Sequence, residues 1–389
     1  MELFDITATT FFGLENVLKD ELEALGAKNI SVLNRAVMFS GDDELLYKCN
    51  LWLRTALKVL VPIAKFNAND ERALYNNIYK IDWEKYFTVN QTFAIDPVAS
   101  GTVFTHSKYA SLKMKDAICD YFRDRRGKRP DVDTEYPDIR FNLHIYNSEC
   151  IVSLDSTGVP MSRRGYKARQ TFAPLNEVMA AGILKIAGWD AQQTLLDPMC
   201  GSGTFPIEAC LMARNIAPGL FRSFAFEKWN NYNHDIWSAL KKEAKSAIKR
   251  NSDVRIIGYD IDPAALDAAS RNADKAGVED FIDFDRMDFF KNEAQFRNIF
   301  VIMNPPYGER LEDAAEMVDF YKNIGNRLKA SYTDCKAWIL SGNLGALKTL
   351  GLHPSRKVKL YNGAIECKLE CFELYSGSRK SKNQDQPQE

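Results

Sequence analysis

The sequence has few of the patterns that mark metal centres, disulfide-linked folds or membrane proteins. Only four histidines occur among 389 residues, and none of the eight cysteines forms a C-x-x-C pair. Apolar runs stay below the roughly 18–20 residues that span a bilayer. The acidic N-terminal segment lacks the basic region that begins a signal peptide. We therefore expect reduced thiols, no metal, no membrane partner and a cytoplasmic location.

An excess of charge is also missing, because 51 basic and 52 acidic residues leave a formal net charge of −1. Any nucleic-acid surface must then be a local patch. The hydrophobic fraction of 46% is that of a globular protein. A chain of this length exceeds one ordinary core, so two or three domains are expected.

Three successive patterns divide the chain. Residues 1–65 follow the strand–helix–strand–strand–helix–strand order of a ferredoxin-like domain. Residues 66–155 form a second α+β pattern, and residues 176–376 alternate strands and helices as a doubly wound α/β sheet does. Asn362–Gly363 predicts a tight hairpin, and hence an antiparallel last strand that closes a mostly parallel sheet. The polar tail, residues 377–389, is expected to be disordered.

Basic residues concentrate in two segments, one within residues 106–130 and one within a predicted basic linker, residues 156–175. The first set is Lys108, Lys113, Lys115, Arg123, Arg125, Arg126, Lys128 and Arg129, against three acidic residues. The second set is Arg163, Arg164, Lys167 and Arg169. Both sets fit either ordinary solvated surface or an RNA-binding surface, because cations that neutralise phosphates supply sequence-independent affinity.

A glycine-rich turn follows the predicted strand at residues 194–199. Gly201 and Gly203 let the backbone approach a ligand, and the helix that follows offers free N–H groups. A dinucleotide fingerprint needs glycine or alanine where Pro206 stands, and a P-loop needs a lysine that is missing. S-adenosylmethionine is the remaining common ligand of such a turn, and Asp197 at the strand end suits its positive charge.

Acidic residues end the next two predicted strands. We expect Asp260 to accept hydrogen bonds from a ribose, and Asp288 to accept one from an adenine amino group with Phe289 beside the ring. Asp262 precedes Pro263 and is interpreted as a helix N-cap. The strand ends of such a sheet surround the crevice where a nucleoside binds.

The segment Asn304–Pro305–Pro306–Tyr307 ends the fourth predicted strand at the same sheet edge. The Asn304 side-chain carbonyl and the Pro305 main-chain carbonyl can both accept from one exocyclic amino group, which turns the nitrogen lone pair toward a methyl donor. Tyr307 would offer a face for a planar substrate. Catalysis would rest on positioning and electrostatics, on a base that is single-stranded or flipped out.

Three motifs carry a resemblance to a known family: DPMCGSGT (197–204), GYDID (258–262) and NPPYGERL (304–311). They resemble those of amino-directed, S-adenosylmethionine-dependent methyltransferases. Together with residues 153–177 and 217–229, the last motif resembles the THUMP-domain guanine-N2 RNA methyltransferases of the bacterial large-subunit rRNA type. The resemblance extends from residue 1 to about 376.

The resemblance implies an N-terminal ferredoxin-like domain, a THUMP RNA-binding domain and a Rossmann-like methyltransferase domain acting on 23S rRNA or a large-subunit precursor. It also implies further cofactor-binding residues, namely Pro198, Cys200, Thr204, Ile261, Asn304, Asn176 and Glu177. Some members carry a second methyltransferase domain, whereas this chain stops at residue 389, so we expect one methylation.

Other functions remain open on the sequence. The same Asn-Pro-Pro-Tyr segment also occurs in enzymes that methylate the N6 amine of adenine in nucleic acids, and a guanosine of tRNA is an alternative substrate. A non-catalytic RNA-binding protein is disfavoured by the intact Asn304 and glycine loop. A dehydrogenase is disfavoured by Pro206 and by the absence of a matching acid–base histidine.

Overall fold

The computed structural model describes residues 3–167, 175–250, 254–292, 296–308 and 314–375. Two compact units contain them. Unit 1 comprises Met1–Thr10, Leu18–Met161 and Pro218–Lys245, and unit 2 comprises Phe11–Val17, Ser162–Ala217 and Ser246–Glu389. The predicted tail, 377–389, lies outside the described residues, and the domain boundaries drawn from the sequence stay predictions.

The first half of unit 1 has the predicted βαββαβ order. Its elements are β1 (Phe4–Thr9), α1 (Glu15–Ala24), β2 (Lys28–Leu33), β3 (Ala36–Gly41), α2 (Asp43–Trp52) and β4 (Lys58–Asn67). Helix α2 begins where the Asp42 carboxylate accepts from the Leu45 amide at 2.9 Å, a side-chain N-cap. Leu18 and Leu22 of α1 are buried at helical spacing.

The second half of unit 1 contains α3 (Glu71–Tyr79), β5 (Phe93–Ser100), α4 (Ser107–Arg126), β6 (Ile139–Tyr146) and β7 (Glu149–Asp155). Aromatic side chains fill the core that these elements share, with Trp83, Phe87 and Phe141 fully buried. Helix α4 ends at Gly127, whose φ of 67° is a left-handed C-terminal cap.

One continuous sheet joins the two halves of unit 1. Its strand order is β2-β3-β1-β4-β7-β6-β5, and only β5 and β6 run parallel. Strand β4 joins the halves because Leu60 pairs with Thr7 of β1 on one side and with Asp155 of β7 on the other. The two α+β patterns of the sequence are therefore one sheet.

The remaining elements follow in chain order. They are α5 (Glu177–Ile186), β8 (Leu195–Asp197), α6 (Thr204–Ala213), α7 (His234–Ser246), β9 (Ile256–Asp260), α8 (Pro263–Lys275), β10 (Asp283–Arg286), β11 (Phe296–Arg297), β12 (Phe300–Met303), α9 (Ala314–Ser331), β13 (Tyr332–Thr333), β14 (Cys335–Ser341), α10 (Leu344–Leu347), β15 (Arg356–Asn362) and β16 (Ile365–Leu374).

The sheet of unit 2 has the order β10-β9-β8-β12-β14-β16-β15. Strands β10, β9, β8, β12 and β14 are parallel, and β16 is antiparallel to both neighbours, as the hairpin predicted. It does not close the sheet, however, because β15 forms the edge. The parallel strands bring Asp197, Asp260 and Asn304 to one edge, since each residue stands at or just beyond a strand's carboxyl end.

Residues 218–245, which the sequence placed within the α/β domain, belong to unit 1. They pack an aromatic cluster against α2, where the Tyr47 and Phe226 rings stack with centroids 4.4 Å apart. Trp237 of α7 meets Phe226 edge-on at 5.1 Å. Burial of these large rings holds the segment in place.

Candidate active site

Two glycines shape the loop between β8 and α6. Gly201 has a φ of 53° and Gly203 a φ of 80°, both in the left-handed region that glycine adopts most readily. A side chain at Gly203 would meet the Ala269 Cβ at 3.0 Å, whereas one at Gly201 would have no neighbour within 4 Å. Gly203 is thus required by packing, and Gly201 leaves an open space beside the loop.

Two carboxylates hold the loop at the ends of neighbouring strands. Asp260 accepts from the Gly201 amide at 2.8 Å and from the Asp262 amide at 3.0 Å. Asp197 is 2% exposed and accepts from the Met199 amide at 3.2 Å. Burial raises the pKa of Asp197 well above its ordinary value, and the charge of Asp260 raises it further. Such a site favours a cationic ligand, which would stabilise both carboxylates.

The other predicted cofactor residues divide into exposed and structural ones. Ile261 is 58% exposed beside Asp260, open to a ligand. Phe289 is buried, and its ring lies 6.0 Å from that of Tyr332. Asp288 accepts from the Phe290 amide at 3.0 Å. Asp262 accepts from the Ala264 amide at 2.9 Å and caps α8, as the sequence predicted.

The rest of the DPMCGSGT motif lies in the loop itself. Cys200 is buried, and its amide donates to the Tyr259 carbonyl at 2.8 Å. Pro198 is buried beside Asp197. Thr204 is the first residue of α6 and is buried.

The Asn304 corner is already hydrogen-bonded within itself. The Tyr307 hydroxyl donates to Asn304 Oδ1 at 2.7 Å. Asn304 is half-buried, Pro305 buried and Pro306 exposed. The sequence predicted the Asn304 carbonyl as an acceptor but did not reveal its bond to Tyr307. Residues 309–311 of the motif lie outside the described residues.

Three residues beyond the motif fix the corner's main chain. The Tyr321 hydroxyl donates to the Pro306 carbonyl at 3.2 Å and shares a 2.6 Å contact with the Ser341 hydroxyl. Asn343 donates from Nδ2 to the Tyr307 carbonyl at 2.8 Å. Sequence reasoning missed all three. The available signal was that Ser341 ends β14 and Asn343 follows it, at the edge that carries Asn304.

The basic linker is partly buried instead of lying along a surface. The Arg164 side chain is 3% exposed and donates from Nε to Glu208 Oε1 at 2.7 Å. Lys167 donates to the Leu175 carbonyl and lies 3.7 Å from the Glu177 carboxylate. These two cations therefore cannot reach RNA phosphates in this structure, contrary to the interpretation from the sequence.

The remaining linker residues have different positions. Arg163 is exposed, and Arg169 lies outside the described residues. Asn176 accepts from the Val178 amide at 2.9 Å as the N-cap of α5. Glu177 is buried next to it, and burial raises the pKa of its carboxyl group. Asn176 and Glu177 thus have structural partners, while their predicted place at the cofactor stays a prediction.

Most cations of residues 106–130 have acidic partners in unit 1. Ion pairs join Lys113 to Glu71, Lys115 to Asp116, Arg123 to Asp120 and Asp124, Arg126 to Glu84, and Arg129 to Asp120. Within the described residues, Lys108, Arg125 and Lys128 have no ion-pair partner, although the Arg125 guanidinium lies 3.9 Å from the centre of the Tyr121 ring. The local excess of positive charge is thus smaller than the sequence alone suggested.

Other predicted absences concern metals, thiols and membranes. The described part of the chain contains no group of three or more metal-ligating side chains, and all eight cysteines are buried and free. None of its helices has the length and apolar character needed to cross a membrane.

Family models match three consecutive parts of the chain. An RMKL-like methyltransferase domain matches residues 164–370, a THUMP domain matches residues 68–155, and an RlmL ferredoxin-like domain matches residues 5–60. The first of these alone covers more than half of the chain.

Named relatives extend over nearly the whole chain. A Synechocystis protein with a provisional RNA methyltransferase name is 39% identical over 95% of this chain and 96% of its own length. The ribosomal RNA large subunit methyltransferase K/L of Syntrophotalea carbinolica is 39% identical over 94% of this chain. The chain spans 53% of that relative, and about half of the others that share its name.

A solved structure has the same architecture. The crystal structure of SMU.472, a protein given a provisional methyltransferase name and complexed with SAH, superposes with a TM-score of 0.87 at 30% identity. The superposition covers 97% of this chain and 100% of that one.

Proposed function

The chain belongs to the RMKL-like methyltransferase family, and from that premise we propose that it transfers a methyl group from S-adenosylmethionine to the exocyclic N2 amine of a guanosine in 23S ribosomal RNA. The observation that carries the proposal is the Asn304–Tyr307 corner, which follows β12 directly beside β8 and its glycine loop. We also propose that the protein acts in the cytoplasm on rRNA or a large-subunit precursor.

The amine is activated by orientation. Asn304 Oδ1 and the Pro305 carbonyl would each accept a hydrogen bond from one N–H of the amino group, so that the nitrogen lone pair faces the methyl group. With S-adenosylmethionine bound, the N–C bond would form as the S–C bond breaks, and the nitrogen would lose one proton to solvent. No strong base is needed, and the rate enhancement comes from positioning and fixed dipoles.

The cofactor side is assigned to residues whose geometry fits a cationic nucleoside. Asp260 would supply negative charge, as would Asp197 once a bound cation lowers its raised pKa, and the open space beside Gly201 admits a ligand next to the backbone. Ile261 offers an exposed apolar side chain for the base. S-adenosylmethionine would supply the methyl group and the positive charge that this site favours.

RNA affinity is assigned to the cations of residues 106–130 that are not neutralised by neighbours. Arg125, Lys108 and Lys128 are exposed and have no ion-pair partner in the described part of the chain. An exposed cation without a carboxylate can exchange its counterions for phosphates, whereas a paired one must first break its ion pair. Arg164 and Lys167 are left out because they are buried in ion pairs with acids of unit 2.

The decisive test of the substrate is nucleoside mass spectrometry of rRNA and tRNA from a strain that lacks the gene. We expect one N2-methylguanosine of 23S rRNA to disappear and to return on complementation. Loss of N6-methyladenosine instead, or of a methylguanosine in tRNA, would replace the proposed substrate.

The decisive test of the site is Asn304→Ala. By analogy with the loss of one oxyanion-hole donor, methylation of RNA should fall by about 10²–10³. Calorimetry should show an almost unchanged affinity for S-adenosylmethionine, because Asn304 acts on the amine. Undiminished activity in this variant would show that another group orients the amine.

A further inference from the structure

The hydroxyl group of Tyr307 has a role separate from that of its ring. We infer that Tyr307 is a positioning residue whose hydroxyl fixes which way the Asn304 carboxamide faces. This inference rests on the proposed function, because it concerns how the acceptor of the substrate amine is oriented.

The Tyr307 hydroxyl group has partners on both sides. It donates to Asn304 Oδ1 at 2.7 Å, while its oxygen accepts from the Cys367 thiol at 3.7 Å. Because the oxygen already accepts from the Cys367 thiol of β16, its own proton is directed to Asn304. Burial raises the pKa of Tyr307, so this proton is retained at all physiological pH values.

The ring is held as firmly as the hydroxyl. A Cβ atom added at Gly342 would lie 2.8 Å from Tyr307 Cδ2, so the ring rests against the bare main chain. The Tyr307 carbonyl is fixed by Asn343 Nδ2 at 2.8 Å. The aromatic ring and its main chain are therefore both restrained, and the direction of the hydroxyl is set before a substrate arrives.

Orientation matters because the two ends of a carboxamide have nearly the same shape but opposite hydrogen-bonding character. Turned one way, Asn304 offers a carbonyl oxygen with two lone pairs, one for Tyr307 and one for the substrate amine. Turned the other way, it offers N–H donors, which cannot hold an amine by its protons. The fixed Tyr307 hydroxyl selects the first orientation, since only the carboxamide oxygen of Asn304 can accept its hydrogen bond.

The test is Tyr307→Phe, which keeps the ring and removes the hydroxyl group. We expect kcat for RNA methylation to fall about tenfold, the effect of one ordinary hydrogen bond, with KM for RNA and the affinity for S-adenosylmethionine unchanged. Tyr361→Phe is the matched control, since that hydroxyl donates to Glu366 at 3.4 Å and not to Asn304. It should leave kcat unchanged.

A second variant separates positioning from direct substrate contact. In Asn304→Asp both side-chain oxygens are acceptors, so orientation no longer matters, and adding Tyr307→Phe should cause no further loss. Single-turnover assays with enzyme in excess keep this slower variant measurable. An equal loss in both backgrounds would show that the hydroxyl touches the substrate, and would overturn the inference, as would an unchanged kcat for Tyr307→Phe alone. Failure of the wild-type protein to methylate RNA would instead count against the proposed function.

Discussion

The same substitution at the two glycines of the cofactor loop should lower the free energy of unfolding by different amounts. Gly201→Ala and Gly203→Ala each force alanine into a left-handed conformation, at about 1 kcal/mol. Only the second adds a clash, with the Ala269 Cβ at 3.0 Å and Phe284 Cζ at 3.1 Å. Overpacking of this kind costs about 1–3 kcal/mol. We therefore expect the free energy of unfolding to fall by about 1 kcal/mol for Gly201→Ala and by about 2–4 kcal/mol for Gly203→Ala.

Cofactor affinity should show the reverse order once folding is accounted for. The space beside Gly201 is open, and if S-adenosylmethionine occupies it, the new methyl group should weaken binding about tenfold, or about 1.4 kcal/mol. Denaturant titration gives the first quantity, and calorimetry on the folded fraction gives the second. Full affinity in Gly201→Ala would show that the ligand lies elsewhere. Equal destabilisation by the two substitutions would refute the steric reasoning.

Three further predictions concern RNA, pH and packing. In filter-binding assays, Arg125→Gln should weaken RNA binding and reduce the slope of log binding constant against log salt concentration by about 0.7–0.9. Arg129 forms a 2.5 Å ion pair with an acid of α4, so Arg129→Gln should change this slope less. Equal changes in the two variants would contradict the proposed RNA-binding surface. Burial raises the pKa of Asp197, and a bound cation would lower it, so cofactor binding should release a proton and become stronger as pH rises. Calorimetry on Asp197→Asn should show no such pH dependence of the affinity. If the pH dependence persists in this variant, another group causes it. Gly325→Ala should destabilise unit 2 by about 3 kcal/mol or more, because its Cβ would lie 1.7 Å from the Leu350 carbonyl oxygen; an unchanged unfolding midpoint would contradict the close approach.

Much of the fold was predictable because local patterns determine it. The apolar spacing of Leu18 and Leu22 predicts helix α1, and Asp262 followed by Pro263 predicts the start of α8. The hairpin at Asn362–Gly363 gave the antiparallel strand. Its place between β14 and β15 was not predictable, since strand order depends on pairing between distant segments.

The candidate site was predictable as a set of residues but not as a set of contacts. The glycine loop and the Asn304 corner follow from motifs, and the family resemblance drawn from those motifs is confirmed by the comparisons. Arg164 looked like exposed surface because its partner, Glu208, is 44 residues away along the chain. The bond between Tyr307 and Asn304 depends on rotamers, which no spacing of residues encodes.

Strand β4 has a consequence for how unit 1 folds. The boundary predicted between residues 65 and 66 falls inside this strand, which runs from Lys58 to Asn67. A fragment cut there would have a severed strand and an unpaired sheet edge, the feature that promotes aggregation. Ferredoxin-like and THUMP segments can be told apart by family models, yet they should unfold as one cooperative element. Amide exchange in β1, β4 and β7 should accordingly proceed at one common rate, set by opening of the whole sheet.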